Sequence, residues 1–263
     1  MDIDLLSLTI LLLLAFIASF LNAIVGGGGL ISLPALMAVG LPPSTAIATN
    51  KLANTISNGT SMLTFLRAGK VDIKKIGKIL PFIFVGSLLG AFTVHLVSPA
   101  ILKPLMLVML VLVAAYTMFK KDWGQQYQER VLSTVKHLAY ISTVKHLAYI
   151  GAFAAIGFYD GFFGPGTGSF FIFILLMMGY DFLQAAGNAK AFNFTSNLAA
   201  LIMFLILGEV HFLYGFSMGF VMIFGAILGS KFALKRGTSM MRVIFIVMTC
   251  LLILKNAWDY FFH

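Results

Sequence analysis

Lys51, Asn54 and Asn58 stand at positions i, i+3 and i+7, and Lys190, Asn193 and Asn197 repeat that spacing in the second half of the chain. On a helix each set shares one face. One ammonium group and several amide donors on one face supply charge compensation and directed N–H bonds, which is what a small oxyanion needs. Thr49, Asn50 and Asn188, beside the lysines, offer further donors. Both sets interrupt apolar stretches, and ionisable groups at membrane depth mark function by default. A lysine near a span end can also snorkel to the interface; that reading leaves the asparagines and their repetition unexplained.

Glycines precede each set. Gly26, Gly27, Gly28 and Gly29 lead into a short apolar piece, as do Gly164, Gly166, Thr167 and Gly168, followed by Ser169. A helix that begins at such a cluster exposes unpaired N–H groups and partial positive charge, and glycine lets an anion approach the backbone. Glycine clusters also allow close helix packing. Asn22 and Asp160 hold the same place in the two copies, four residues before Gly26 and Gly164. Asp160 is the one acid expected in the apolar core. A lone carboxylate at that depth can hold a proton and couple transport to the proton gradient. A static ion pair with Lys190, or a hydrogen-bonded helix break, is the equally weighted alternative.

The elements that must position these groups follow from composition. The 263 residues are 60% hydrophobic and only 10% charged, against about 25% charged in a soluble domain. The apolar runs are too long and continuous for barrel strands, so the expectation is an all-α polytopic membrane protein. Spans are expected near 5–25, 46–66, 76–97, 100–119, 144–162, 186–207, 212–232 and 240–258. The N-terminal run lacks a basic flank and a small-x-small cleavage site, so it reads as a retained span. The pieces 30–39 and 169–178 hold ten residues each. That is about 15 Å of helix, half of a hydrocarbon core of roughly 30 Å.

Adding 139 to a position in the first half carries Gly29, Gly40, Lys51, Asn54, Asn58, Gly69, Gly86 and Gly90 onto Gly168, Gly179, Lys190, Asn193, Asn197, Gly208, Gly225 and Gly229. The chain therefore divides into an N-terminal repeat, 1–119, a polar linker, 120–143, and a C-terminal repeat, 144–263. Basic residues cluster at 67–78, in the linker and at 231–242. The positive-inside rule puts all three on the cytoplasmic side. The repeats are then inverted, with about five segments each, the short glycine-led pieces counted as crossings and both termini outside. Re-entrant short pieces would instead give eight crossings.

The net charge of +9 belongs to these loops and does not indicate nucleic acid. Cys250, alone of its kind, reads as packing. The histidines at 95, 137, 146, 211 and 263 form no ligand or catalytic spacing, so no metal, cofactor or enzymatic activity is expected. Residues 133–141 recur at once as 142–150. Nine residues turn a helix to its opposite face, so this duplication carries no chemistry. No P-loop motif occurs, which leaves a secondary transporter, with rocking repeats exposing the anion to either side in turn, ahead of a small-anion channel.

The pattern from Asn22 through the glycines, Leu41-Pro42-Pro43 and Ala48-Thr49-Asn50-Lys51 resembles the TauE/SafE family of membrane transporters. Asp160-Gly161-Phe162-Phe163-Gly164-Pro165-Gly166-Thr167-Gly168 is the more specific part of that resemblance. It implies a carrier of the bacterial-type inner membrane for small organosulfur anions such as sulfite, sulfoacetate or a related sulfonate or thiosulfate. The expected partners are that small inorganic or organosulfur anion and membrane lipid; a homodimer stays open.

Overall fold

The computed structural model describes residues 5–98, 100, 101, 108 and 143–236. Most of the span expected at 100–119, the linker up to 142, the first nonapeptide copy, Cys250 and the span at 240–258 lie outside the described residues.

The described elements are helical. They are α1 (Leu5–Val25), α2 (Gly29–Ala38), α3 (Pro43–Arg67), α4 (Ile73–Ile76), α5 (Leu80–Leu96), α6 (Thr143–Phe162), α7 (Thr167–Met177), α8 (Phe182–Ile206) and α9 (Phe212–Arg236). By length and composition α1, α8 and α9 can each cross a membrane. The two ten-residue pieces appear as the short helices α2 and α7. Helix α3 starts at 43 and not 46 because Pro43 suits a first turn whose N–H groups go unused. Helix α8 starts at 182 because Asp181 caps it, accepting from Gln184 N–H at 2.9 Å. The span expected at 76–97 is the continuous helix α5, which starts at 80 with Pro81 in its first turn; the one-turn helix α4 precedes it. Phe220 stands at the related place in α9, which runs through.

The offset of 139 recurs in the element bounds. Helices α3 and α8 both hold 25 residues, and 182 less 43 and 206 less 67 are the same offset of 139. Each ends on a glycine in the left-handed region, Gly69 (φ 67°) and Gly208 (φ 71°). The next N–H groups, of Lys70 and Glu209, close back onto the carbonyls of Phe65 and Phe204. The start of α3 lies at the end of α8 and the reverse also holds. His211 N–H donates to Thr49 Oγ1 at 3.0 Å, and Asp72 N–H donates to Asn188 Oδ1 at 2.9 Å. The two long helices therefore run antiparallel.

The halves are interlocked. Helix α6 packs on α5, where Gly86 and Gly90 face Gly157 and Gly161: a Cβ on Gly90 would meet the Phe158 carbonyl, and one on Gly161 the Ser87 carbonyl. Helix α9 packs on α1 in the same manner, with a Cβ on Gly225 falling 2.5 Å from the Phe16 carbonyl. Small residues at four-residue spacing let backbones approach without a hydrophobic driving force. One apolar cluster joins Leu33, Leu36 and Ile47 to Phe163 and Phe204; the other joins Ile24 and Phe65 to Phe153, Phe171 and Phe192. In each cluster both halves contribute.

The outer faces are apolar. Phe212, Phe216, Phe220, Phe224 and Leu228 form an exposed stripe along α9, and Phe82, Val85, Leu89, Phe92 and Leu96 one along α5. Lys51, Asp160, Lys190 and seven asparagines are buried. Contiguous apolar patches on this scale outside, with charge inside, suit lipid and not water.

Candidate functional site

The two helix breaks meet at the centre. The chain leaves α1 through Gly26 (φ 83°) and leaves α6 through Gly164 (φ 100°) and Gly166 (φ 82°), conformations that only glycine adopts freely. A Cβ on Gly26 would fall 2.5 Å from the Gly168 carbonyl carbon, and one on Gly168 would fall 2.6 Å from Gly26 Cα. Ser169 Oγ donates to Val25 O at 2.9 Å across the junction, and Tyr159 OH donates to Pro165 O at 2.8 Å within the second break. Packing also explains Gly28, whose Cβ would lie 2.6 Å from Asn22 Cβ, and Gly29, which lies against Pro165. Only Gly27 of the first cluster has room, with its nearest atom at 3.9 Å.

That contrast gives a first prediction. Gly168→Ala pushes the breaks apart and destabilises by about 1–3 kcal/mol, whereas Gly27→Ala stays within about 0.5 kcal/mol. Thermal unfolding of the purified variants in detergent checks it; equal losses would contradict the contact between the breaks.

The charged groups cross between the halves. Lys51 Nζ donates to Asp160 Oδ1 at 3.0 Å and also to the Asp160 carbonyl. Lys190 Nζ donates to the carbonyl of Asn22, the residue that matches Asp160 in the first half. Each lysine thus reaches the last turn of the broken helix in the opposite half. The Asn22 carbonyl also accepts from Gly26 N–H at 2.9 Å, whereas Gly164 N–H turns to the Tyr159 carbonyl and leaves that of Asp160 to Lys51. The side chains repeat the correspondence. Asn22 Nδ2 donates to Asn58 Oδ1 at 3.0 Å, and Asn197 Nδ2 donates to Asp160 Oδ2 at 3.2 Å, an oxygen that Ser196 Oγ also reaches. The ion pair expected for Asp160 with Lys190 is instead made with Lys51. Gly164 permits it, since a Cβ there would lie 2.7 Å from Lys51 Nζ.

These groups surround a void of about 20 Å³ lined by Asn22, Gly26, Gly29, Asn50, Lys51, Asn54, Asn58, Asp160, Gly164, Gly168, Asn193 and Asn197. That is the room of one water molecule. Asn54 Nδ2 donates to Asn50 Oδ1 at 2.9 Å, while Asn193 Nδ2 is buried with no partner among the described residues. The first turns of α2 and α7 border the void through Gly29 and Gly168. The lining holds backbone and amide donors, one ammonium and one carboxylate. No group of three His, Cys, Asp or Glu able to hold a metal occurs among the described residues.

Eleven residues singled out from the sequence thus converge: Gly26, Gly29, Asn50, Lys51, Asn54, Asn58, Asp160, Gly164, Gly168, Asn193 and Asn197. Lys190 supports the site from behind through Asn22. Gly27, Gly28, Gly166, Thr167 and Ser169 shape the breaks without lining the void; Thr167 Oγ1 donates to Gly164 O at 2.5 Å. Thr49 and Asn188 face the loops at 211 and 72. Asn22 and Ser196 are the additions. Asn22 was legible as the match of Asp160, and Ser196 as the match of Ser57 at the repeat offset; Ser57 Oγ lies 2.7 Å from Ser19 Oγ.

A helical bundle with apolar flanks and a buried polar centre at two broken helices is the architecture of a membrane transporter. The chain belongs to the TauE/SafE family: the family described as Sulfite exporter TauE/SafE matches residues 11–256. It is 36% identical over 260 residues to a "Probable membrane transporter protein" of Haemophilus influenzae, covering 98% of each chain. It is 33% identical over 254 residues to "Probable membrane transporter protein ORF9" of Sinorhizobium sp, covering 96% of this chain and 93% of that one. Against "Probable membrane transporter protein YfcA" of Escherichia coli K12 the identity is 31% over 253 residues, 96% of this chain and 90% of the other. No solved structure matches.

Proposed function

We propose that the protein is a secondary transporter of small organosulfur anions, such as sulfite or sulfoacetate, in a bacterial-type inner membrane that it crosses several times. The observation that carries this reading is the Lys51–Asp160 pair, set at the meeting point of two broken helices. The carboxylate of Asp160 stands where a substrate oxyanion would accept from the same ammonium. The transported anion and Asp160 then compete for Lys51. When the anion takes the lysine, Asp160 is left in a dry site without its cation, a situation that favours proton uptake. Anion and proton bind together and are released together.

The antiparallel course of α3 and α8, and the exchange of lysines between the halves, support inverted repeats that rock against each other. A void of about 20 Å³ is too small for a polyatomic anion, so this conformation is read as the one between the two open forms. The family description supports sulfite and its relatives as the substrate class.

The test is counterflow in proteoliposomes. Unlabelled sulfite or sulfoacetate inside should drive accumulation of the labelled anion from outside. Conductance without exchange would favour the channel instead. Lys190→Ala should reduce exchange to background, because the Asn22 carbonyl then keeps only the Gly26 N–H and the tie from the second half to the first break is lost. A Lys190→Ala protein that is folded and exchanges at the native rate would contradict that role.

A further inference from the structure

A larger polar cavity, about 360 Å³, lies between the loop after α3 and the start of α8. Its lining includes Lys70, Asp72, Lys74, Lys75, Gln184 and Asn188. We propose that it is a peripheral binding site for a small soluble oxyanion, from which the anion passes to the Lys51 void; that passage rests on the transport reading above.

The cations and the buried amide left without a partner in this cavity are donors. Lys75 is engaged by Asp72 at 2.9 Å, and that side-chain hydrogen bond holds the Asp72 carboxyl below its usual range. Asp72 also accepts from Lys75 N–H at 3.2 Å, so the one carboxylate of the lining is occupied. Lys70 and Lys74 form no ion pair among the described residues. Asn188 is fully buried. Its Oδ1 accepts from Asp72 N–H, and its Nδ2 has no partner among the described residues. An ammonium and an amide NH2 can only donate. The complement is a ligand made of acceptors, with negative charge.

The place of the cavity fits a step on a route. Asn188 sits on α8 five residues before Asn193, which lines the central void. Five residues are about 7.5 Å along a helix. The opposite end of the molecule is built differently. At the repeat offset Glu209 replaces Lys70 and His211 replaces Asp72, and Glu209 lies 3.4 Å from His95. Among the described residues a cation-lined approach exists on one side, that of the basic segment 67–78.

The experiment is thiol labelling at Gln184→Cys in a Cys250→Ser background, in phosphatidylcholine nanodiscs. Gln184 is exposed at the cavity. The anionic sulfonatoethyl methanethiosulfonate should react about tenfold faster, relative to the cationic trimethylammonium reagent, than it does with a free thiol. Inorganic sulfate should slow the labelling several-fold. Lys74→Gln and Asn188→Ala should remove that protection. The Lys51→Ala/Asp160→Asn double variant should keep it, because labelling requires no transport; protection that survives there separates the peripheral site from any failure of the transport reading. Equal reactivity toward both reagents with no sulfate protection would overturn the site. Protection by phosphatidylglycerol in the nanodisc without sulfate would give the cavity to a lipid headgroup and overturn the route.

Discussion

Lys51→Ala is expected to abolish anion transport and to destabilise the protein by about 3–5 kcal/mol, the usual cost of stranding one member of a buried ion pair. The side chains of both partners are almost wholly buried, at 2% and 3% exposure. Removing the ammonium leaves the Asp160 carboxylate with Ser196 and Asn197 alone. Adding Asp160→Asn removes the stranded charge at nearly the same shape, so the double variant should recover most of the stability. It should not recover transport, because no cation remains to hold the anion. Thermal unfolding and proteoliposome uptake of the two variants separate these effects. Recovery of transport by the double variant would mean that Lys51 serves Asp160 only and never meets the substrate.

Asp160→Asn alone has the second large expected effect, on coupling and not on binding. Asn at this position cannot take up a proton, yet its carbonyl can still accept from Lys51. The variant should therefore exchange anion for anion while losing accumulation driven by an inward proton gradient. Uptake at several imposed pH gradients, with counterflow measured in parallel, reads both quantities. A variant that still concentrates the anion against its gradient would locate coupling elsewhere.

The parts of this site legible in the sequence were those written as polar interruptions of apolar runs. Lys51, Asn54 and Asn58, with their counterparts, could be placed on one helix face by spacing alone, and all but Lys190 line the void. What spacing could not give was the partner of each lysine. Asp160 lies nearer to Lys190 in sequence, but antiparallel α3 and α8 hand each lysine to the break of the other half. Thr49 and Asn188 show a second limit. Each precedes its lysine by two residues, about 200° of helical rotation, so neither can share the lysine's face. Both reach loop N–H groups instead. The glycines show a third. Their clustering pointed to close approach, and the close approach proves to be of one break to the other at Gly26 and Gly168. The start of α5 at 80 could have been anticipated from Pro81, which has no equivalent in α9.

In the proposed mechanism the transported anion and the Asp160 carboxylate compete for Lys51, so that a proton enters with the anion. Proton uptake on anion binding tests it most directly. Purified protein in weak buffer with a pH indicator is titrated with sulfoacetate. The native protein should take up about one proton per anion bound, and Asp160→Asn none. Anion binding to the native protein without proton uptake, or equal uptake by the two proteins, would contradict it.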